Sequence, residues 1–289
     1  MIKKIEGVYR SDDFHWVGDG FHVTNYFPSA HDIQAKISPF LLFDYGAPHR
    51  FEPTDTQRGV GPHPHRGFET VTIAFEGSVA HHDSTGNSGI IGPGDVQWMT
   101  AGSGILHKEY HSKDFSKKGG IMHMMQIWVN LPQKDKMTPP RYQPILASEI
   151  SEVKLSNNGG VVRIIAGEFQ GAKGPAKTYS PISLFDIRLH PAGRCELTIP
   201  ETENAALMVL GGEMQINGKK CTARDLVLFQ NSGETILIEA ESEAHLMLLG
   251  GEPTGGPIVQ YGPFVMNTQQ EIRQAIADFN AGKFGILED

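Results

Sequence analysis

Short apolar runs that end in glycine, proline or aspartate recur along the chain. Examples are residues 69–75, 124–129, 161–165, 184–189, 206–210, 226–229 and 246–249. Runs of this length between turn residues are typical of strands in a β-sandwich or barrel. The 33 glycines and 18 prolines among 289 residues exceed average usage, which is about 12% for the two together. These features predict an all-β protein and exclude a coiled coil, a collagen and a disordered chain.

Two segments of the chain resemble each other. Residues 75–79 (FEGSV) and 92–96 (GPGDV) have counterparts in residues 210–214 (LGGEM) and 223–226 (ARDL). In both halves a strand turns through glycine, and a later turn ends in aspartate before an apolar run. The repeat predicts two β-barrels of one type. The proline-rich stretch between them reads as a connector, so the predicted domains are 1–131, a connector 132–150, and 151–289.

One helix is predicted, near the C-terminal end of the sequence. Thr268 and Glu271 have the spacing of a capping box, in which each side chain caps a backbone N–H of the first turn. Ile272, Ala275, Ile276 and Phe279 then follow the helical period and form one apolar face. We expect this face to pack on a barrel.

Charge and composition exclude several partners. The formal net charge of −8 disfavours a surface that grips nucleic-acid phosphates. No run approaches the roughly 18 apolar residues of a transmembrane helix, so no membrane association is expected. Two cysteines, Cys195 and Cys221, cannot form a disulfide framework and are predicted to pack in the core. We expect a reduced, cytoplasmic protein, or a nuclear one if the host is eukaryotic.

Histidine is concentrated in the first half, where 11 of the 13 histidines lie between positions 15 and 123. His63 and His65 form one pair, and His107 and Glu109 form another. Residues two apart on a strand share a face, so each pair can direct two ligands at one point. A single His-x-His is more often a surface or turn feature. Two such pairs in one β domain favour a metal site, because four inward polar groups without partners are costly.

Other residues could enter or border this site. Glu69 lies four positions after His65 and shares its face if the strand continues. His111 continues the alternation of His107 and Glu109 and could replace Glu109, although exposure beside Ser112 and Lys113 is the more common outcome for such a residue. His81 and His82 are adjacent, so at most one of them faces the site.

Three imidazoles and a carboxylate suit a divalent first-row metal. On iron, four such ligands leave two positions open for substrate, dioxygen or water. We expect one divalent transition metal, Fe(II) first, with Mn, Co, Ni, Cu and Zn as alternatives. A closed tetrahedral zinc site would be structural instead.

The motif run resembles the pirin family of the cupin superfamily. The similarity lies in residues 63–70 (HPHRGFET), 93–109 (PGDVQWMTAGSGILHKE), 126–131 (QIWVNL), 250–253 (GGEP) and 261–268 (YGPFVMNT). The resemblance implies a bicupin, two stacked antiparallel β-barrels of jelly-roll type with a short C-terminal helix. It also implies that metal binds only in the N-terminal barrel, through His63, His65, His107 and Glu109, with Glu69 as the fallback ligand.

The resemblance implies an oxygenase that cleaves quercetin-like flavonols with O2 and releases carbon monoxide, a flavonol 2,4-dioxygenase. Glu109 would then also act as general base for the substrate hydroxyl. Glu69 and Gln126 are predicted to hold substrate or ligands by hydrogen bonds. Phe51, Phe68 and Trp128 are candidate walls for a flat aromatic substrate, and a core role for each is the alternative.

A regulatory protein is the second hypothesis. Pirins include proteins described as iron-dependent transcriptional co-regulators and regulators of metabolic enzymes. The metal's oxidation state would then change the affinity for a protein partner, a transcription factor or a metabolic enzyme, without direct DNA contact. A non-redox enzyme and a purely structural metal are further alternatives.

Overall fold

The structure, a computed structural model, describes residues 1–26 and 36–287. The chain divides into two compact units that do not follow one another along the sequence. Unit I consists of Asp13–Asn25, Phe40–Ala147 and the described residues of Thr254–Asp289. Unit II consists of Met1–Asp12, the described residues of Tyr26–Pro39, and Ser148–Pro253.

Unit I is built on a seven-stranded and a four-stranded sheet with antiparallel pairing. The larger sheet has, in spatial order, β12 (Arg141–Ile145), β9 (Val96–Thr100), β6 (Phe68–Glu76), β11 (Gly120–Asn130), β4 (Phe40–Phe51), β3 (Phe21–Asn25) and β2 (Phe14–Val17). The smaller sheet has β5 (Gly59–His65), β10 (Ile105–His111), β7 (Val79–Asp83) and β8 (Ser88–Ile91). A hairpin of β25 (Val259–Tyr261) and β26 (Phe264–Met266) completes the unit.

Unit II repeats this plan. Its seven-stranded sheet has the order β1 (Ile5–Tyr9), β22 (Leu226–Phe229), β19 (Asn204–Gly211), β24 (Ala244–Gly251), β17 (Ile182–Leu189), β14 (Gly160–Ala166) and β13 (Ser151–Lys154). Its four-stranded sheet has β18 (Arg194–Thr198), β23 (Thr235–Ala240), β20 (Glu213–Ile216) and β21 (Lys219–Thr222), and β15 (Glu168–Phe169) pairs with β16 (Ala172–Lys173). The two matching sheet pairs confirm the all-β class.

The two units differ from the predicted linear boundaries. β1 pairs with β22, so the first residues lie in unit II. The stretch 132–150, predicted as a connector, contains β12, which pairs with β9. Because β12 is an edge strand, Pro144 removes no interior ladder hydrogen bond there. Short 3-10 turns at Gln133–Asp135, Ala147–Glu149 and Ser156–Asn158 complete this region.

Two α-helices are described, α1 (Lys113–Lys118) and α2 (Gln269–Asn280). Half of the predicted capping box forms, since the Thr268 hydroxyl accepts from the Glu271 backbone N–H, whereas the Glu271 carboxylate accepts from the backbone N–H of Asn267. Ile272 and Ala275 are buried against Phe264, which places α2 in unit I rather than with residues 151–253. Phe279 lies at the edge of the predicted apolar face: it is 38% exposed, and its ring contacts that of Phe284 at 5.9 Å. Nowhere in the described chain is a helix long and apolar enough to span a membrane.

Candidate metal centre

Three histidines of unit I converge on one point. In the antiparallel pair of β5 and β10, His63 lies directly opposite His107. The ring centroids of His63, His65 and His107 are 4.2 to 4.9 Å apart. One ring nitrogen from each lies within 4.8 Å of the others. The two strands thus bring together the two pairs that the sequence separates by 41 residues.

The chemistry of these rings suits a metal ion. Burial, with a further contribution from His63, lowers the pKa of both His65 and His107 well below 6.5, so both are neutral imidazoles with a lone pair to donate. Nδ1 of His65 and Nε2 of His107 are buried and have no hydrogen-bond partner among the described residues. Buried polar atoms are normally paired. Nδ1 of His63 contacts the Gly61 carbonyl at 2.8 Å, which leaves Nε2 of that ring for a metal.

Glu109 lines the same cavity but lies outside the group of three imidazoles. Its Oε1 accepts hydrogen bonds from Thr72 Oγ1 at 3.0 Å and from Gln97 Nε2 at 2.5 Å. Its Oε2 accepts one from Gln126 Nε2 at 2.7 Å. These donors come from three strands of the larger sheet, β6, β9 and β11, so they fix the position of the carboxylate.

A second buried chain of contacts begins at His107. Its Nδ1 lies 3.3 Å from Nδ1 of His81, and Nε2 of His81 lies 3.2 Å from Oδ2 of Asp83. Burial alone would raise the pKa of Asp83, but hydrogen bonds from His81 and Thr85 outweigh it, and the pKa lies below its ordinary value. The His81 ring stacks on Tyr142, with centroids 4.8 Å apart.

A cavity of about 300 Å³ opens beside the imidazoles. Its wall is mostly apolar, formed by Val17, Phe21, Val23, Val60, Met124 and Trp128 together with the polar Asp44, Gln126 and Glu109. Burial raises the pKa of Asp44, although the Asn25 amide donates a 2.7 Å hydrogen bond to it. An apolar cavity with a few converging polar groups is the usual form of a small-molecule site.

Glu69 is not in this site. Thr72 and Gln97, which bind Glu109, are cross-strand partners on one face of the large sheet, whereas Glu69 pairs with Thr100 on the other face. The expectation that Glu69 shares the face of His65 assumed a continuous strand. The chain instead breaks at Gly67, whose φ of +87° separates β5 from β6.

Of the residues predicted to form the walls of the substrate pocket or to hold substrate, some line the cavity and others lie in the core. Trp128 and Gln126 line the cavity, as expected. Phe68 is fully buried behind Trp128, with ring centroids 4.3 Å apart. Phe51 packs in the apolar core against His111, at 4.5 Å. Both phenylalanines therefore take the core role that was the alternative.

His111 is also buried rather than exposed, and its Nε2 lies 2.7 Å from the Gly20 carbonyl. It continues the inward face of β10 but is held by backbone instead of joining the imidazoles. Both cysteines are buried, as predicted. Among the other histidines of the first half, His123 contacts the Tyr45 hydroxyl at 3.0 Å. His31 falls outside the described residues.

Sequence reasoning missed three residues at the site: Asp44, Asp83 and Tyr142. Asp44 is a lone acid in an apolar run, and Tyr142 lies in the stretch taken as a connector, so neither carries a local signal. His81 and Asp83 are two apart on β7 and therefore share a face, the same signal on which the two predicted ligand pairs rest. That spacing could have singled them out.

The fold and the histidine cluster together define a protein of the cupin class, one of whose two barrels contains three histidines with the geometry to hold a metal ion. The family models agree: Pirin matches residues 20–129, and the Pirin C-terminal cupin domain matches residues 184–285. The chain belongs to the pirin family.

Relatives cover almost the whole chain. It is 48% identical to a Pseudomonas aeruginosa protein that is named for a proposed, not established, quercetin 2,3-dioxygenase activity, over 98% of this chain and 99% of that one. Human pirin is 37% identical over 86% of this chain and 84% of its own. A solved structure named quercetin 2,3-dioxygenase from Acinetobacter baumannii is 46% identical, covers both chains completely and has a TM-score of 0.95.

Proposed function

We propose that this protein is a metal-dependent dioxygenase that cleaves quercetin-like flavonols with O2. The observation that carries the proposal is the group of three converging imidazoles beside an apolar cavity, two of which have a buried ring nitrogen without a hydrogen-bond partner among the described residues. The names of the Pseudomonas and Acinetobacter relatives support the same chemistry.

The ligands we propose are His63, His65, His107 and Glu109. His63, His65 and Glu109 line one cavity of unit I, and the His107 ring lies 4.2 and 4.9 Å from those of His63 and His65. This mixed nitrogen and oxygen set suits Fe(II) as well as other divalent first-row metals. When bound, such an ion supplies Lewis-acid and dioxygen chemistry.

The residues around the ion position the substrate and move its proton. Oε1 of Glu109 already accepts two hydrogen bonds, whereas Oε2 accepts one, from Gln126. Oε2 is therefore the atom we assign as acceptor of the proton from the substrate hydroxyl. Gln126 holds this carboxylate in place. Phe21 and Trp128 provide apolar walls that exclude water from a flat aromatic ring.

The proposed reaction opens the oxygen heterocycle of a flavonol. Both atoms of O2 enter the products, and one ring carbon leaves as carbon monoxide. The expected products are a phenolic ester and one carbon monoxide for each flavonol and O2 consumed.

The test is turnover of quercetin by the protein after Fe(II) loading without oxygen, followed by admission of O2. Flavonol loss and carbon monoxide release are measured together. We expect His65→Ala to lose both bound iron and turnover, because it removes one of the three converging imidazoles. His190→Ala, a change at an exposed histidine of unit II, is the matched control and should keep both.

Two results would contradict the proposal. One is an absence of turnover in wild-type protein that holds iron stoichiometrically, which would favour redox sensing through a protein partner. The other is turnover in His65→Ala protein that is folded but free of metal.

A further inference from the structure

The chain of contacts from Asp83 to His107 has a defined direction. Oδ2 of Asp83 belongs to a carboxylate, which can only accept, so Nε2 of His81 carries the proton in their 3.2 Å contact. With this one ring proton, His81 has a lone pair on Nδ1. In the 3.3 Å contact between the two Nδ1 atoms, His107 must therefore be the donor. Its proton is on Nδ1, and its Nε2 lone pair is free.

Nε2 of His107 is one of the two buried ring nitrogens of the cluster that have no partner in the described part of the chain. The direction of the relay and this unpaired atom are independent observations. Both indicate that the lone pair of His107 is presented to the cluster of imidazoles. A metal ion requires the same tautomer.

Asp83 is itself held in one orientation. Its Oδ1 accepts hydrogen bonds from the Thr85 backbone N–H at 2.9 Å, the Thr85 hydroxyl at 2.6 Å and the Asn87 backbone N–H at 3.2 Å. These donors belong to the turn between β7 and β8. They occupy Oδ1 and leave Oδ2 for His81. Tyr142 fixes the plane of the His81 ring by stacking at an interplanar angle of 10°.

We propose that Asp83 and His81 are positioning residues that fix the Nδ1–H tautomer of His107, so that His107 presents Nε2 to a metal ion. This inference rests on the proposed metal centre but not on the identity of the reaction. His107 is a ligand in it, whereas Asp83 and His81 act only through His107.

Asp83→Asn is the decisive variant, because the turn dictates how the amide must lie. The three donors hold the amide oxygen at the position of Oδ1, so the NH2 group faces Nε2 of His81. His81 then has to accept there and donate from Nδ1, and His107 has to accept on Nδ1 and carry its proton on Nε2. The isosteric change thus inverts the relay and blocks the ligand lone pair, as an Asp-to-Asn change does in a Ser-His-Asp triad.

The first measurement is the tautomer of each histidine in metal-free protein, from long-range 1H–15N NMR correlations. We expect Nδ1–H for His107 and Nε2–H for His81 in wild type, and the reverse in Asp83→Asn. The second measurement is metal affinity, by competition with a chelator. We expect Asp83→Asn to weaken it by about 10–100-fold.

Two further variants separate tautomer control from simple damage. His81→Phe keeps the stack on Tyr142 but releases His107 to take either tautomer, so it should weaken affinity less than Asp83→Asn. A purely structural role predicts the opposite order, because His81→Phe is the larger change. His82→Asn alters the neighbouring histidine, whose ring contacts Tyr110 instead, and should leave affinity unchanged.

The inference is overturned if wild-type His107 carries its proton on Nε2, or if folded Asp83→Asn binds metal as tightly as wild type. It stands if the tautomers and affinities are as expected but iron-loaded protein does not consume quercetin. That last result would reject only the proposed function.

Discussion

The number of hydrogen-bond donors differs between the buried carboxylates near the candidate site of unit I. Glu109 on β10 and Glu69 on β6 are both buried acids of unit I, yet their surroundings differ. Glu109 accepts from two amides and a hydroxyl. Glu69 accepts a hydrogen bond from the Thr100 hydroxyl at 2.7 Å. Burial raises the pKa of Glu69 to about 7.

Glu69→Gln should therefore change how stability depends on pH. The folded state holds the Glu69 proton up to about pH 7, whereas the unfolded state releases it near pH 4.5, so this group makes the protein less stable as pH rises from 4.5 to 7. The glutamine has no proton to lose and still accepts from Thr100. We expect the free energy of unfolding of the variant, relative to that of wild type, to increase by up to about 3 kcal/mol from pH 5 to pH 9.

Urea unfolding at the two pH values measures this difference. Glu76→Gln, at the exposed end of the same strand, is the control and should follow wild type. Parallel pH profiles for wild type and Glu69→Gln would show that Glu69 is ionised in the folded protein.

How far the residues of the site follow from sequence depends on local regularity. His63 and His65, like His107 and Glu109, each lie within one strand, where alternation assigns a face correctly. Glu69 was misplaced because Gly67 interrupts the strand, and a sequence does not show whether glycine extends a strand or ends it. Asp44 and Tyr142 reach the site only through pairing with distant strands, which no local pattern encodes.

Lys136, near the beginning of the proline-rich stretch, connects three segments of unit I. Its Nζ donates to the Gly67 carbonyl, to Asn130 Oδ1 at the end of β11 and to the Val265 carbonyl of β26. The residue is 2% exposed, and burial lowers the pKa of its ammonium group to about 7, against a smaller opposing effect of Glu271. This one side chain holds the β25–β26 hairpin to the turn that follows His65.

Lys136→Met should destabilise the protein by about 1–3 kcal/mol, since it leaves buried acceptors without a donor. The loss should depend on pH. Between about pH 7 and 10.5 the unfolded state binds a proton at this lysine that the folded state does not, so wild-type stability falls as pH falls through this range. The difference between wild type and variant should therefore be larger at pH 9 than at pH 7.

Chemical unfolding at both pH values tests this expectation. Lys134→Met, a change in the same 3-10 turn at a residue that is not buried, is the control. A Lys136→Met protein as stable as wild type at pH 9 would contradict the assigned role.

A helix or strand could be predicted best where its own residues contain both an end signal and a periodic apolar pattern. The capping box at Thr268 and the apolar positions Ile272 and Ala275 identified α2 correctly. The same signals do not say on which barrel the helix packs. The segment of β12 was predicted to be a connector because of its prolines. An edge strand tolerates proline, and the pairing of β12 with β9 is a long-range contact that no local pattern shows.

The two units have the same strand arrangement but different side chains at the matching positions. Both four-stranded sheets have the same arrangement, so β18 occupies the place of β5, and β23 that of β10. Where unit I has histidines on β5, unit II has buried Cys195 and Leu197, and where unit I has His107 and Glu109, unit II has buried Ile236 and Ile238. The uneven distribution of histidine along the sequence therefore matches the unit in which three imidazoles converge.

We expect one metal ion per chain. Elemental analysis of metal-loaded wild-type protein should give one metal ion per chain, and the His63→Ala variant should retain none. Because the ion binds the folded state, a free concentration of 100 times Kd should stabilise wild type by about 2.7 kcal/mol and raise its Tm, with no shift in His63→Ala. Two ions per chain, or an equal Tm shift in the variant, would contradict a single site in unit I.

The interleaved make-up of the two units has a consequence for the order in which the protein matures. During translation, residues 254–289 leave the ribosome after all of residues 148–253, although they belong to the same unit as the histidines. Until then His65 has no Pro263 carbonyl beside it, and Arg66 lacks its partner Asp278, which it binds at 2.9 Å in the finished structure. A nascent chain in which all the proposed ligands have left the ribosome therefore still lacks the C-terminal contacts beside them, and we expect metal to be acquired by the released polypeptide rather than during synthesis.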